Sequence, residues 1–210
     1  IKMKKIFSVL LALCMSLTMG IAGFADGVGP KVSDEEVIKN GTLIDSEVIT
    51  SAEGPYLKET YVYQSEPKAR GLEQEFSQTT LVQFSSLNDK ARGSQNMKRG
   101  NVSSTIVWVT SNCPTNWFPD DDPVPAYRLQ RVAIQRSSSD IEFVEVDTYN
   151  EYWRARDTDV VHRINSSSNQ IIIEPDTSVY VPKGYGAVLG ATLHYELNGS
   201  EDTLDNYLFD

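Results

Sequence analysis

The sequence predicts an all-β fold, an antiparallel β-sandwich, on three observations. The first is strict alternation across residues 185–197. Tyr185, Ala187, Leu189, Ala191, Leu193, Tyr195 and Leu197 fall on one face, and Gly186, Val188, Gly190, Thr192, His194 and Glu196 on the other. Period two sustained over this length marks a strand buried on one side. The second is a series of short runs rich in β-branched residues, parted by Ser, Asn, Gly and Pro turns. The third is that no stretch keeps the apolar spacing of a helix. Strands without crossover helices pack as antiparallel sheets.

Residues 1–25 read as a secretory signal peptide. Lys2, Lys4 and Lys5 precede an apolar run from Ile6 to Met19, and Gly23-Phe24-Ala25 makes a small-x-small exit before Asp26. The run is too short and too poorly flanked for a membrane span. The Lys-rich start has a bacterial character, so the four Asn-x-Ser/Thr sequences, at Asn40, Asn101, Asn165 and Asn198, are discounted as glycan acceptors. Removing the signal from the 210 residues takes three lysines and no acid. The remaining net charge of −13 favours solubility and disfavours nucleic acid or an anionic lipid surface as partner. Cys14 lies in the signal behind Leu13, which disfavours lipidation. Cys113 is then the one remaining cysteine, so no intrachain disulfide is expected, and a buried thiol in a monomer is. The core must carry the stability, and roughly 110 residues suffice for one. No second long apolar stretch and no wall-anchoring tail are seen, so the expectation is a freely released extracellular protein without membrane insertion.

In chain order, residues 26–70 are polar, acidic and weakly patterned, and are expected to be a loosely structured leader. Asp34-Glu35-Glu36 suggests a mobile start, and residues 56–63 suit one strand with Tyr61 and Tyr63 on a common face. Three basic glycine turns follow, at Ala69-Arg70-Gly71, Arg92-Gly93 and Arg99-Gly100. Exposed turns of this kind are where proteases cut. Residues 71–210 are expected to be the β-sandwich domain. Residues 104–110 form a strand around Trp108. Residues 127–136 form the next, and their alternation slips between Leu129 and Val132, which suggests a bulge. Residues 141–148 follow the turn Ser137-Ser138-Ser139-Asp140, and residues 149–161 continue them or make an irregular arm. Residues 170–174 and 178–181 are short strands parted by Pro175-Asp176. After 185–197, Asn198-Gly199 signals a tight hairpin and residues 203–209 return.

Val181-Pro182-Lys183-Gly184-Tyr185, with the alternation that follows, resembles the sixth strand of fibronectin type III and related immunoglobulin-like domains. The resemblance implies that Tyr185 closes a tyrosine corner. The layout also resembles small secreted Firmicutes proteins of unknown function: a Lys-rich signal, an acidic leader, an Ala-Arg-Gly junction and a β domain with a lysine-glycine-tyrosine turn. The likeness covers residues 69–209 and brings no activity with it. The insertion from Asn112 to Pro125 departs from that pattern.

That insertion holds the most distinctive loop. Four prolines stiffen a segment carrying Trp117, Phe118, Asp120, Asp121 and Asp122. The expected role is a binding loop, an aromatic platform with an acidic rim, for a sugar or peptide. The blander alternative is that the aromatics cap the sandwich end. Asp120, Asp121 and Asp122 with Asp157 and Asp159 have oxygens for calcium, but the spacing lacks the glycine and closing Glu of a calcium loop. Tyr149, Tyr152 and Trp153 with Arg154 and Arg156 make an aromatic-basic arm, either a contact surface or a charged edge. His162 and His194 are the only histidines and have no metal-ligand spacing, so no metal is expected. Gly-x-Ser-x-Gly and phosphate-loop motifs are missing. A Cys113–histidine pair is a weak nucleophile signal, and no two carboxylates stand out as a glycosidase pair. The expectation is a secreted, non-catalytic binding protein acting at or outside the cell envelope of a Gram-positive bacterium, with no cofactor and an extracellular protein or glycan as partner. Its alternatives are a secreted hydrolase of glycans or peptides, and a self-associating matrix protein.

Overall fold

The structure is a computed structural model. It describes residues 32–51, 54–70, 73–87, 98–112, 125–152, 155–164, 167–175, 180–183, 186 and 188–209. The signal segment, Cys113 and Tyr185 lie outside the described residues. Residues from Val32 to Asp210 form one compact unit.

Among the described residues the chain is all-β apart from one short helix, α1 (Asp34–Asn40). A sheet follows the order β1 (Thr42–Ser51), β2 (Gly54–Gln64), β4 (Glu73–Ser86), β5 (Lys98–Asn112), β6 (Pro125–Arg136) and β10 (Val181–Pro182). Two short strands join it, β3 (Lys68–Arg70) on β4 and β9 (Gln170–Ile173) on β6. A second sheet runs β12 (Ser200–Phe209), β11 (Val188–Leu197), β7 (Ile141–Tyr152) and β8 (Ala155–Arg163). All described pairings are antiparallel. One apolar core takes residues from both sheets, among them Val82, Phe84, Ile106, Trp108 and Leu129 from the first and Phe143, Val146, Leu193 and Tyr195 from the second. The arrangement is sandwich-like, as the alternation required.

The expected loose leader is helix and strand from Asp34 onward. Ser33 caps α1, its Oγ accepting from the Glu36 N–H at 3.2 Å, and three acidic residues follow in the first turn. Both features stabilise a helix start, so Asp34-Glu35-Glu36 is a helix turn rather than a mobile start. β2 then pairs with β4 from Tyr56↔Ser86 to Gln64↔Gln78. Its Tyr56 is buried and meets the Phe84 ring edge-on at 5.9 Å. The physical reason is that β2 needs only one apolar face, which an acidic, mixed sequence hides.

Bulges set the phase of the core. In β6, Trp108 pairs with Leu129 and Val107 with Arg131, so Gln130 is the extra residue, where the alternation slipped. Asn150 of the opposite sheet reaches across, its Oδ1 accepting from the Leu129 N–H at 3.1 Å. In β7, His194 pairs with Glu145 and Tyr195 with Phe143, which leaves Val144 as an extra residue. Phe143 and Val146 therefore both face the core, while Glu145 and Asp147 face outward together. No described helix is long and apolar enough to cross a membrane.

A polar layer also joins the sheets. Asn206 is buried, and its Nδ2 donates to the carbonyls of Ser104 at 2.7 Å and Gln78 at 3.2 Å. The Gln78 Nε2 donates back to Asn206 Oδ1 at 2.9 Å and to the Tyr207 carbonyl at 3.2 Å. Buried amides are tolerated because their groups are paired this way.

Candidate functional site

The loop bearing Trp117, Phe118, Asp120, Asp121 and Asp122 lies outside the described residues, but both its roots are described. β5 ends at Asn112 and β6 begins at Pro125. Between those roots and the start of β4 the end of the sandwich opens into a depression of about 500 Å³. Gln74 and Phe76 of β4, Trp108 and Thr110 of β5, and Tyr127 of β6 line it, with Leu208 of β12 on the facing sheet. Gln64, Pro125 and Lys183 complete the rim.

The alternation of the strands places these side chains. Phe76 and Trp108 are directly paired across β4 and β5 and point inward, Trp108 as part of the core and Phe76 packed against it. Their rings stack, 5.6 Å between centroids and 12° between planes. Trp108 is 6% exposed and serves as floor, while Phe76 and Tyr127 are half-buried. Stacked aromatics offer a flat apolar face that carries more contact energy than its area alone. Around it stand the Gln64 and Gln74 amides, the Thr110 hydroxyl and one cation, Lys183. Gln64 is oriented by donating to the Gln78 Oε1 at 2.7 Å, and Gln78 is itself held by Asn206. The lining described here contains no carboxylate. Chemically it can stack a ring or planar group and hydrogen-bond polar substituents around it.

Beside this depression, Arg128 lies over the Tyr180 ring at 4.9 Å. The Tyr180 hydroxyl donates to Glu73, and burial first, then that contact, raises its pKa above the usual 10. This cluster ties β4 and β6 to the approach of β10.

The other sequence candidates are dispersed. Asp157 and Asp159 belong to β8, but their side chains lie outside the described residues, as do those of Tyr152, Trp153, Arg154 and Arg156. Tyr149 packs edge-on to Tyr207, 5.4 Å between centroids. His162 is opposite Val146 in β7, and His194 is opposite Glu145. Adjacent positions face opposite sides of a sheet, so the two histidines do not converge. Phe76, Gln64, Gln74 and Tyr127 were missed as site residues. Phe76 is the sole aromatic in the polar run Glu73-Gln74-Glu75-Phe76-Ser77-Gln78. That isolated aromatic was the available signal.

No family model matches the chain, and neither the curated proteins nor the solved structures contain a significant match to it.

Proposed function

We propose that the chain is a secreted, non-catalytic binding protein that acts at or outside the bacterial cell envelope and takes an extracellular glycan or protein segment in the aromatic depression. The observation that carries this reading is the stacked Phe76–Trp108 floor ringed by amides at the root of the Trp117–Phe118 loop. A sugar ring stacks on such a surface and its hydroxyls meet Gln64, Gln74 and Thr110. The loop, with Trp117, Phe118, Asp120, Asp121 and Asp122, would close over the same ligand. Aromatic anchors carry much of the energy in interfaces, and a proline-stiffened loop loses little entropy on contact.

The finer fold assignment is part of the proposal. In fibronectin type III domains the strands A, B and E face G, F, C and C′. The order β12-β11-β7-β8 corresponds to G-F-C-C′, and β5-β6 with β9 and β10 corresponds to A-B-E. β1, β2 and β4 then widen the first sheet beyond that frame. Secretion rests on residues 1–25, and N-terminal sequencing of protein from culture medium should begin at Asp26. Uncleaved protein retained in cells would overturn it.

Titration of the full chain with soluble wall glycans and peptides, followed by tryptophan fluorescence and calorimetry, tests the site. Phe76→Ala and Trp117→Ala should each weaken binding by roughly 2 kcal/mol with the fold intact. Binding that neither change affects removes the reading, and ligand fragments released during incubation would favour the hydrolase. The self-association reading has one observation in its favour: β1 is an edge strand with Leu43, Ile44 and Val48 exposed. Its bulge at Ile44 and its Asp45 and Glu47 oppose strand addition. Sedimentation as a monomer at high concentration would dismiss it.

A further inference from the structure

We propose that Glu145, Asp147 and His194 form a binding site for a divalent transition-metal ion of the zinc class, on the outer face of the second sheet and separate from the aromatic depression. The Val144 bulge creates the arrangement. It shifts the phase of β7 so that Glu145 and Asp147 share the outer face, and it brings Glu145 opposite His194 of β11. Bulges next to sites re-aim side chains in this way.

One ligand atom from each residue lies within 4.8 Å of the other two. The His194 Nε2 is 3.1 Å from the Asp147 Oδ2. Zinc binds nitrogen and carboxylate oxygen at about 2.0–2.2 Å, so small rotations of the two partly buried carboxylates close the triangle. The second Asp147 oxygen, Oδ1, is buried and has no hydrogen-bond donor among the described residues. A buried carboxylate oxygen without a donor is costly, and a cation relieves that cost. Among the described residues Glu145 pairs with Arg163 at 3.9 Å, and the Arg163 side chain is 87% exposed. It is free to turn toward an ion.

The donor set selects the ion. Imidazole with two carboxylates suits zinc and its first-row neighbours, and calcium asks for six to eight oxygens. Three protein ligands leave a further coordination position. Glu145 and His194 also line a depression of about 380 Å³ together with Glu201, Asp202 and Thr203. A water or a ligand group can reach the ion there. Sequence spacing hid the site because its histidine and carboxylates come from different strands, Glu145 and Asp147 two residues apart and His194 far along the chain.

The test uses the full chain without an affinity tag, stripped of metal. Titration with zinc against a chromophoric chelator should give one ion per chain. Cobalt should give a visible spectrum without a thiolate charge-transfer band, which excludes Cys113 as a ligand. His194→Gln and Glu145→Gln should each weaken zinc binding by on the order of 10–100-fold or more, and His162→Gln should leave it unchanged. Circular dichroism establishes that the variants fold. Should either fail to fold, cobalt broadening of amide resonances in the unaltered protein decides, and it should centre on residues 145–147 and 192–194. No stoichiometric ion, binding that survives His194→Gln, or broadening centred elsewhere overturns the proposal.

Discussion

Leu193 and Thr192 are neighbours in β11 with opposite duties. Leu193 is fully buried and lies in register between Val146 and Leu204. Leu193→Ala should cost about 2–5 kcal/mol, the transfer term plus an unfilled cavity. Alternation alone makes Thr192 a cheap position. The structure raises its value, because Thr192 is 7% exposed and its hydroxyl donates to the Asp205 Oδ1 at 3.0 Å. Thr192→Ala should therefore cost about 1 kcal/mol. Urea unfolding of both variants checks this, and equal losses would contradict the assigned faces. Tyr195 predicts a pH effect. Burial first, then the Asp202 carboxylate that accepts its hydroxyl at 2.8 Å, pushes its pKa well above the usual 10. The folded state keeps a proton that the unfolded chain releases. Stability is then full below about pH 10 and falls above it by about 1.4 kcal/mol per pH unit from this residue. Burial lowers the pKa of Lys58, but Asp202 at 2.6 Å and Glu47 at 3.2 Å outweigh it and raise it overall. Its charge is lost in the same alkaline direction. Melting temperatures between about pH 8 and pH 11 should decline above pH 10, and Tyr195→Phe should flatten the decline. An unchanged slope in that variant would refute the assignment.

Strands with one apolar face in strict alternation were legible, and strands with polar alternation were not. β11 was readable because Leu189, Ala191, Leu193, Tyr195 and Leu197 are all core residues. The hairpin was readable because Asn198 and Gly199 adopt φ of 54° and 77°, the left-handed region those residue types tolerate. The β6 bulge was readable because Ala126, Leu129, Val132 and Ile134 break period two once. β4 was not recognised, since its inward positions include Gln74, Gln78 and Thr80, which serve the inter-sheet polar layer and the depression. α1 was too short for periodicity to show, although Ser33-Asp34-Glu35-Glu36 carries a capping-box spacing. The phase argument can be tested by deleting Gln130. Without the extra residue, either Leu129 and Ala126 turn outward or Val132 and Ile134 do. Losing the burial of either set, at about 2–5 kcal/mol for each large core side chain, consumes most or all of the roughly 5–15 kcal/mol that a domain of ordinary stability holds in reserve. The deletion should abolish cooperative melting, whereas Gln130→Ala should melt within a few degrees of the parent. A normal melt for the deletion would mean that the bulge does not set the phase.

At the scale of the molecule, the first sheet is wider than the second, and this difference governs the stability. At one end of the sandwich Phe76 and Tyr127 pack against the core at Trp108 and, with Leu208 of the second sheet, line the depression. The sequence pointed to that end through its Trp117 loop but not to its floor, because Phe76 and Trp108 converge only once β4 and β5 are paired. The same width makes residues 32–64 part of the sheet. β2 covers the hydrogen-bonding edge of β4 along Tyr56↔Ser86 to Gln64↔Gln78. Lys58 supplies the cation beside Asp202, and Tyr56 covers Phe84. A chain beginning at Gly71 would lose all three. It would expose β4 as a long edge, leave Asp202 without Lys58 and uncover an aromatic of the core. Exposed edges of this kind associate with other strands. The fragment 71–210 should therefore melt well below 26–210 and aggregate as it does so. Tyr56→Ala in the longer chain is the milder form of the same loss, about 3 kcal/mol for a buried aromatic. Trypsin offers the independent measurement. Arg70 and Arg99 belong to β3 and β5 and not to the free turns expected there; if the chain is cut at either or at Arg92 while β1 and β2 stay paired to β4, the pieces should remain together in gel filtration after cleavage. Release of residues 26–70 without any fall in melting temperature would show that β1 and β2 contribute nothing to the fold.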